Sequence, residues 1–186
     1  MSRNHCPALL GLAVAAALAG CSRTVAPADA ETADASTPAM PAMDDAQLLA
    51  RGEYMVRIAG CNDCHTPGYA ETGGQVPKAT WLLGTPLGWN GPWGTTYPAN
   101  LRLKLHDMDE AAWLAYSASL HTRPPMPDFA VRTMSELDRR AIYRFVRSLG
   151  PAGQPAPAYL PPGTVPSPPY VQWVLPSGAA PTPPAG

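Results

Sequence analysis

The pentapeptide Cys61-Asn62-Asp63-Cys64-His65 is the part of the sequence from which the rest is best interpreted. Its C-x-x-C-H spacing is the one at which a polypeptide attaches haem c. Two thiols three residues apart can each form a thioether with one haem vinyl group, and the histidine that follows can reach the iron from one face. A C-x-x-C pair alone could instead be a redox dithiol or half of a zinc site. We therefore expect one covalently attached haem c here.

Length and composition favour one small domain with irregular flanks. The chain has 186 residues and a formal net charge of −1, so no strong field attracts it to nucleic acid or to anionic lipid. Half of its 24 prolines follow Gly150. The sequence contains no phosphate-binding loop, no paired-carboxylate site and no nucleic-acid footprint. We expect no nucleic-acid partner.

The N-terminus has the pattern of a targeting segment. Arg3 precedes an apolar run over residues 8–19, which is too short to span a bilayer comfortably. The run ends in Leu18-Ala19-Gly20-Cys21, which resembles the lipobox of bacterial lipoproteins. That resemblance implies cleavage before Cys21 and lipid on its thiol. The alternative is an ordinary secretory signal peptide with an incidental cysteine.

The other cysteines fit the same assignment. Cys6 leaves with the signal peptide, so lipid on Cys21 and haem on Cys61 and Cys64 leave no free thiol in the mature chain. Each acyl CH₂ buried in the membrane contributes about 0.8 kcal/mol, so several chains anchor durably. Ser22 follows the cysteine where Asp would favour the inner membrane, which points to the outer one. We expect a lipid anchor on the periplasmic side of a bacterial membrane.

Composition divides the chain into four parts. They are a signal peptide at 1–20, a flexible tether at 21–43, a folded domain at 44–150 and a Pro-rich extension at 151–186. We expect residues 152–175 of the extension to run over the domain surface and 176–186 to be loose. Because Tyr159-Leu160 and residues 170–175 are apolar, a partner-binding segment is the alternative interpretation.

Three helices are predicted in the domain, at 45–60, 108–120 and 136–149. Each begins with a capping pattern; the pairs are Asp44 with Gln47, Asp107 with Glu110, and Ser135 with Asp138. Gly150-Pro151 ends the third helix. Gly52, inside the first helix, costs about 1 kcal/mol relative to alanine. A close helix crossing is the usual structural reason for such a glycine, and a surface glycine is the alternative.

Residues 66–106 are dense in Gly, Pro, Trp and Tyr and show neither helical nor alternating periodicity. They predict a long loop. Long loops inside compact domains are uncommon unless something fills their middle. A haem is such a filler, because flat aromatic side chains can pack on it.

The iron needs a sixth ligand, and Met126 is the best candidate. It stands between Pro125 and Pro127, in a stiff segment between the second and third helices. His121 is its chief competitor. Met40 and Met43 lie in the tether. The remaining candidates, with weaker placement, are Met55, Met108, Met134 and His106.

The order helix, C-x-x-C-H, loop, helix, Met-Pro and terminal helix resembles class I cytochrome c. Pro124-Pro125-Met126-Pro127, with Met134-Ser135-Glu136-Leu137-Asp138 and Ala141-Ile142-Tyr143 after it, is similar to cytochrome c domains that accompany bacterial periplasmic dehydrogenases. Gly94-Thr95-Thr96-Tyr97-Pro98-Ala99-Asn100-Leu101 is similar to the segment that those domains place beside the haem. The resemblance covers about 44–150. Residues 81–93 and the extension have no counterpart, and there is one C-x-x-C-H where such relatives often carry several haem domains.

The resemblance implies an all-α, class I cytochrome c fold with three main helices and long loops around one haem. Cys61 and Cys64 would bind the porphyrin, and His65 and Met126 the iron. It also suggests that the Pro77 carbonyl accepts the His65 Nδ1 proton, a bond that fixes the ring. The candidates for contacts with the haem propionates are Arg123, Trp81, Tyr97 and Asn100.

His/Met ligation raises the reduction potential and leaves no open iron position for substrate. We therefore expect an electron carrier rather than an enzyme, a monomer or a subunit of a redox complex, that docks transiently with periplasmic redox proteins. The alternatives are a dedicated haem subunit of a dehydrogenase or oxidase complex, and a haem sensor or enzyme from which Met126 dissociates. The arginines of the last helix are either a steering surface for an acidic partner or a solvated face.

Overall fold

The computed structural model describes residues 43–176 and 178. The predicted signal peptide, Cys21, Met40 and all of the tether except Met43 lie outside this part, as do residue 177 and residues 179–186. The described chain forms six helices and three short strands. The helices are α1 (Asp45–Ile58), α2 (Cys61–His65), α3 (Leu101–His106), α4 (Glu110–Ala118), α5 (Asp128–Thr133) and α6 (Glu136–Ser148); the strands are β1 (Gly88–Gly91), β2 (Gly94–Thr96) and β3 (Tyr170–Gln172).

The prediction of an all-α fold with three main helices is wrong. The three strands form one mixed sheet in the order β2-β1-β3, in which β1 pairs antiparallel with β2 and parallel with β3. Strands of three or four residues are too short to show alternation in sequence. The third strand lies in the extension, some 80 residues after β1, and no local sequence pattern there predicts that it pairs with β1.

The first and last helices agree closely with their predictions. Asp44 and Gln47 form the predicted capping box, and α1 ends at Ile58 because Gly60 adopts a left-handed conformation with φ of 67°. A Cβ on Gly52 would lie 2.0 Å from the carbonyl oxygen of Ala141, so the predicted close crossing is confirmed. The partner helix is α6, which Ser135 caps as predicted.

The middle helix begins at a different aspartate. Asp109, not Asp107, caps α4, and its side chain accepts a hydrogen bond from the Ala112 amide at 2.7 Å. Asp107 instead ends α3, a helix inside the segment predicted to be a loop. The side chain of Asn100 begins that helix by accepting from the Leu103 amide at 3.1 Å.

The core lies between α1, α3, α4 and α6. It also includes Trp81 and Leu82, which lie in the segment 66–106 that the sequence predicts to be a loop. Trp81 is 2% exposed and contacts Tyr69 and Phe145 edge to face, while Leu82 is fully buried. Their partners in the core are Val56, Leu105, Trp113, Ile142, Tyr143, Phe145 and Val146. The long segment is therefore anchored by its own aromatic side chain. Among the described helices, none has the length and apolarity needed to cross a bilayer.

The extension packs along the domain. The side-chain amide of Asn100 donates to the carbonyls of Ala152 (2.8 Å) and Gln154 (3.2 Å). Leu160 then bridges to Thr95, and β3 joins the sheet further on. As far along the chain as Gln172, the extension is thus hydrogen-bonded at several points to the segment 66–106.

Candidate haem-binding site

The C-x-x-C-H motif occupies its own short helix. The left-handed turn at Gly60 ends α1 and lets α2 start at Cys61 with a new direction. His65 is 9% exposed, whereas Cys61 and Cys64 are half-buried and not joined to each other by a disulfide. The helix thus places two partly buried cysteines beside a buried imidazole, and Cys61 packs against the hydrophobic core.

The His65 ring is held by a backbone carbonyl. Its Nδ1 lies 2.7 Å from the carbonyl oxygen of Ala99, so Nδ1 carries the proton and donates it, and Nε2 keeps its lone pair. The predicted acceptor, Pro77, is wrong. The Pro77 carbonyl instead accepts from the amide and the hydroxyl of Thr80, at 2.9 and 2.8 Å. In many class I cytochromes the acceptor of the histidine proton is a proline about twelve residues after the histidine. Here the acceptor is Ala99, which follows β2.

Burial sets the ionisation of this group. It lowers the pKa of His65 below its ordinary value, and the bond to Ala99 opposes that effect only in part. The ring is therefore neutral at neutral pH. A neutral imidazole with Nδ1 tied down and Nε2 free is the form that binds a metal.

The thiols are not poised for redox chemistry. Burial raises the pKa of Cys61 to about 11, and burial together with the Asp63 carboxylate raises the pKa of Cys64. Reactive dithiols instead have a lowered pKa, since the thiolate is the nucleophile. The pair also follows a helix rather than a strand. These features disfavour a thiol oxidoreductase.

Two buried polar residues that the sequence analysis did not single out fix the motif helix. The Thr66 hydroxyl donates to Asn62 Oδ1 at 2.7 Å and accepts from the Leu82 amide at 2.8 Å. The Gly84 amide donates to the His65 carbonyl at 2.8 Å. The only signal in the sequence was a polar pair four residues apart around the histidine. These bonds tie the motif to the chain segment that enters the sheet.

Met126 lies on a closed loop between α4 and α5. It is half-buried, and its carbonyl accepts from the Asp128 amide at 2.9 Å. The Asp128 carboxylate accepts from the Thr122 amide at 2.6 Å and pairs with Arg132 at 2.8 Å. One carboxylate therefore joins the two ends of the loop at 122–128, which we call the Met126 loop.

One chain segment supports both predicted iron ligands. The Thr96 hydroxyl, on β2, donates to the Pro124 carbonyl in the Met126 loop at 2.8 Å. Three residues later, the Ala99 carbonyl holds His65. The structure thus brings the anchor of the imidazole and the anchor of the thioether loop onto neighbouring residues.

A groove of about 170 Å³ lies beside Cys64. Its lining includes Thr85, Leu87, Trp89 and Pro169. Thr85 Oγ1 and Trp89 Nε1 are buried and form no hydrogen bond. Each unpaired buried donor of this kind costs about 1–3 kcal/mol.

The residue types match those that haem c would use, namely two thiols, one neutral imidazole and a thioether on a loop. Of these residues, Cys64 lines the groove, whereas Cys61, His65 and Met126 do not. The groove is smaller than the roughly 300–1,000 Å³ of most cofactor pockets, so it would hold only part of a macrocycle.

The predicted propionate contacts fare differently. Trp81 is a core residue whose Nε1 donates to the Val76 carbonyl at 3.4 Å, and both Asn100 side-chain atoms already have partners. Arg123 stacks on Tyr159. Tyr97 is half-buried and remains a candidate.

The rival iron ligands have other surroundings. Met55, Met108 and Met134 pack against the hydrophobic core. The Nδ1 atoms of His106 and His121, both exposed residues, lie 3.1 and 3.4 Å from arginine guanidinium nitrogens. Met43 is half-buried before α1.

No cluster of three or more His, Cys, Asp or Glu side chains in the described part of the chain is arranged to hold a metal ion. A haem iron with one histidine and one thioether does not require such a cluster. Comparisons with models of protein families, with curated proteins and with solved structures give no match for this chain.

Proposed function

We propose that this protein is a monohaem c-type cytochrome that transfers single electrons, with His65 and Met126 as the axial ligands. The observation that carries the proposal is the shared support of the two ligands. Thr96 holds the Met126 loop, and Ala99, three residues on, holds the imidazole. A chain selected for a redox dithiol or for half a zinc site has no evident need of this arrangement.

In this function His65 has a positioning bond and a free nitrogen. Donation from Nδ1 to the Ala99 carbonyl at 2.7 Å orients the ring and makes Nε2 a stronger ligand. Because the ring is buried and neutral, no proton must leave before Nε2 can bind. Cys61 and Cys64, three residues apart in the five-residue helix α2, would supply the thioethers.

Met126 supplies a soft sulfur on a loop with fixed ends. A haem iron with His and Met ligands has a raised potential and moves one electron without an open site for substrate. The Asp128 carboxylate keeps the loop closed. We therefore propose no catalytic residues.

The location and partners of the protein are proposed from sequence. Lipid on Cys21 would tether the domain to the periplasmic face of a bacterial membrane, with Ser22 favouring the outer membrane. Periplasmic redox proteins would be its partners. The packing of the extension on the domain favours a self-contained carrier over a subunit that docks through a free tail.

Two of the four arginines of α6 form ion pairs within the domain, which argues against a steering role for them. Arg140 and Arg144 both pair with Glu110, and Arg140 also pairs with Glu136 at 2.6 Å. The Arg147 guanidinium donates to the His106 carbonyl at 2.8 Å. The charges of Arg140 and Arg144 are thus neutralised within the domain, whereas Arg147 bonds only to neutral groups.

The test is visible spectroscopy of the purified holoprotein, oxidised and reduced, as wild type and as Met126→Ala. We expect a low-spin haem c whose thioether-to-iron charge-transfer band is absent from the variant. Met134→Ala is the matched control, since it removes a methionine near the core and should keep the band. Mass spectrometry should locate the haem on the peptide that contains Cys61 and Cys64.

Three results would contradict the proposal. A Met126→Ala spectrum identical to wild type would reassign the sixth ligand, with His121→Ala as the next variant. A high-spin wild type that binds cyanide at once would favour a sensor or an enzyme. A purified protein without covalent haem would remove the basis of the function altogether.

A further inference from the structure

The extension contacts the Met126 loop through one aromatic ring. The Arg123 guanidinium lies over the ring of Tyr159, 3.8 Å from the ring centroid. Arg123 directly precedes Pro124, whose carbonyl Thr96 holds. The loop is therefore contacted at two successive residues, once from β2 and once from the extension.

Tyr159 is itself firmly placed. Its hydroxyl donates to the Trp93 carbonyl at 2.8 Å. The next residue, Leu160, exchanges both backbone hydrogen bonds with Thr95, at 2.8 and 3.0 Å. A Cβ on Gly94 would lie 2.2 Å from the Leu160 carbonyl oxygen, so the two chains approach as closely as a glycine permits.

Such an anchored ring can hold a cation in place at little entropic cost. The Tyr159 ring is fixed at its hydroxyl and at the neighbouring backbone, so only the Arg123 side chain must be ordered when the pair forms. Proline at 124 and 125 limits the freedom of the chain between Arg123 and the methionine. Restraint at Arg123 is thus transmitted to Met126 through the two prolines between them.

We propose that Tyr159 is a positioning residue for Met126. By holding Arg123, the extension keeps the Met126 loop in the conformation that presents the thioether, and so lowers the fraction of molecules in which the ligand is off. This inference rests on the proposed function of Met126 as sixth ligand. It makes the extension a part of the redox site, although the resemblance to cytochrome domains ends before it.

The size of the effect follows from the contact. A cation–π pair near the surface shifts an equilibrium by roughly twofold to fivefold. Imidazole can bind the iron only in molecules from which Met126 has dissociated, so its apparent affinity reports that fraction. Loss of the Tyr159 ring should raise the affinity by the same factor.

The experiment is a spectroscopic imidazole titration of holoprotein variants. Tyr159→Leu should bind imidazole roughly twofold to fivefold more tightly than wild type. Tyr159→Phe keeps the ring and should lie between the two. Tyr116→Leu is the matched control, because it also removes a cation–π partner, here of Lys104 at 4.6 Å, in a pair that joins α3 and α4.

A second variant covers poor folding of Tyr159→Leu. Arg123→Gln removes the same pair from its exposed side and should reproduce the rise in imidazole affinity. Hydrogen exchange of amides 122–128 provides a readout that does not depend on the iron ligand. It should be faster in Tyr159→Leu and Arg123→Gln than in Tyr116→Leu.

The outcomes separate the two proposals. If the wild type shows the thioether-to-iron band, yet neither variant changes imidazole affinity or loop exchange, Tyr159 has no positioning role. If the wild type lacks the band, the proposed function and the ligand role drawn from it both fail. Faster exchange in the variants would then show only that the extension orders this loop.

Discussion

The helical side of the domain and the sheet side are specified in different ways. Helices α1 and α6 each begin at a capping residue that is visible in the sequence, and Gly52 marks the point at which the two helices cross. In the sheet, strands of three or four residues are held by partners far away in sequence, including β3 from the extension. Local signals describe the first region well, whereas long-range pairing determines the second.

The candidate site spans this division. The C-x-x-C-H helix extends from the helical side, directly after α1. Ala99, which holds the His65 ring, and Thr96, which holds the Met126 loop, come from the sheet side or just after it. A defect in the helical region should therefore unfold the protein, while a defect in the sheet region should first disturb the ligands.

The largest effect is expected for Gly52→Val. Its Cβ would lie 2.0 Å from a backbone oxygen of α6, which cannot move without displacing the helix. We expect a loss of about 3 kcal/mol in the free energy of unfolding. Denaturant titration measures it, with the exposed Ala50→Val as control for β-branching in the same helix. A loss no greater than that of the control would show that the crossing is looser than described.

Gly94→Ala is the corresponding change on the sheet side. It combines a φ of 95° with a Cβ 2.2 Å from the Leu160 carbonyl oxygen, so the extension must move away from β2. We expect a loss of about 2 kcal/mol and weakening of the thioether-to-iron band. Gly163→Ala is the matched control, since its φ is 85° and no atom lies within 4 Å of the added Cβ. Equal spectra for the two variants would argue against coupling between extension and ligand.

Thr66→Val tests the connection between the two sides. It would leave the buried Leu82 amide without an acceptor and Asn62 Oδ1 without a donor. A loss of about 1.5 kcal/mol is expected in thermal or denaturant unfolding. Thr72→Val, which removes an exposed hydroxyl bonded to Gly68, should cost much less. Similar losses in both variants would mean that the buried hydrogen bonds of Thr66 contribute no more to the free energy of unfolding than the exposed bond of Thr72.

The smallest effect concerns an ion pair between α1 and α6. Burial alone would raise the pKa of Asp138, but hydrogen bonds from Arg51 and Ser135 outweigh it and lower the pKa below the ordinary 3.8. At pH values around and below the ordinary pKa of an aspartate, the folded state therefore binds fewer protons than the unfolded state. The stabilisation is complete above pH 4 or so and is lost as the pH falls through the lowered pKa.

Asp138→Asn should accordingly cost under about 1 kcal/mol at neutral pH. It should also flatten the dependence of stability on pH below about 4. Denaturant midpoints measured across the acid range provide the comparison. Asp45→Asn, an exposed position in the first turn of α1, is the control. If the two variants have the same pH dependence, the Arg51 pair makes no measurable contribution.

Sequence reasoning succeeded where neighbouring residues carry the information. The capping box at Asp44, the cap at Ser135 and the close crossing at Gly52 were predicted and found. It failed where two local signals compete, as at Asp107 and Asp109. There the first aspartate ends α3 and the second begins α4, and only the preceding helix decides between them.

Within the candidate site, the residue types were readable but their supports were not. The motif itself and Met126 between two prolines are visible in sequence. The acceptor for His65 is a backbone carbonyl 34 residues away, and a backbone carbonyl has no residue identity to recognise. The unpaired Nε1 of Trp89 likewise became visible only after burial was known.

By itself, the sequence determined three of the six described helices, the start signals of two of them, the glycine at the crossing of α1 and α6, and the spacing of the thiols with their histidine. These depend on contacts within a few residues along the chain or on a single side-chain volume. Tertiary structure alone decided that the extension joins the sheet, that Ala99 accepts the hydrogen bond of His65, and that Thr96 donates to the Met126 loop. The reason is physical: short strands and backbone carbonyls gain a defined partner only when distant segments meet.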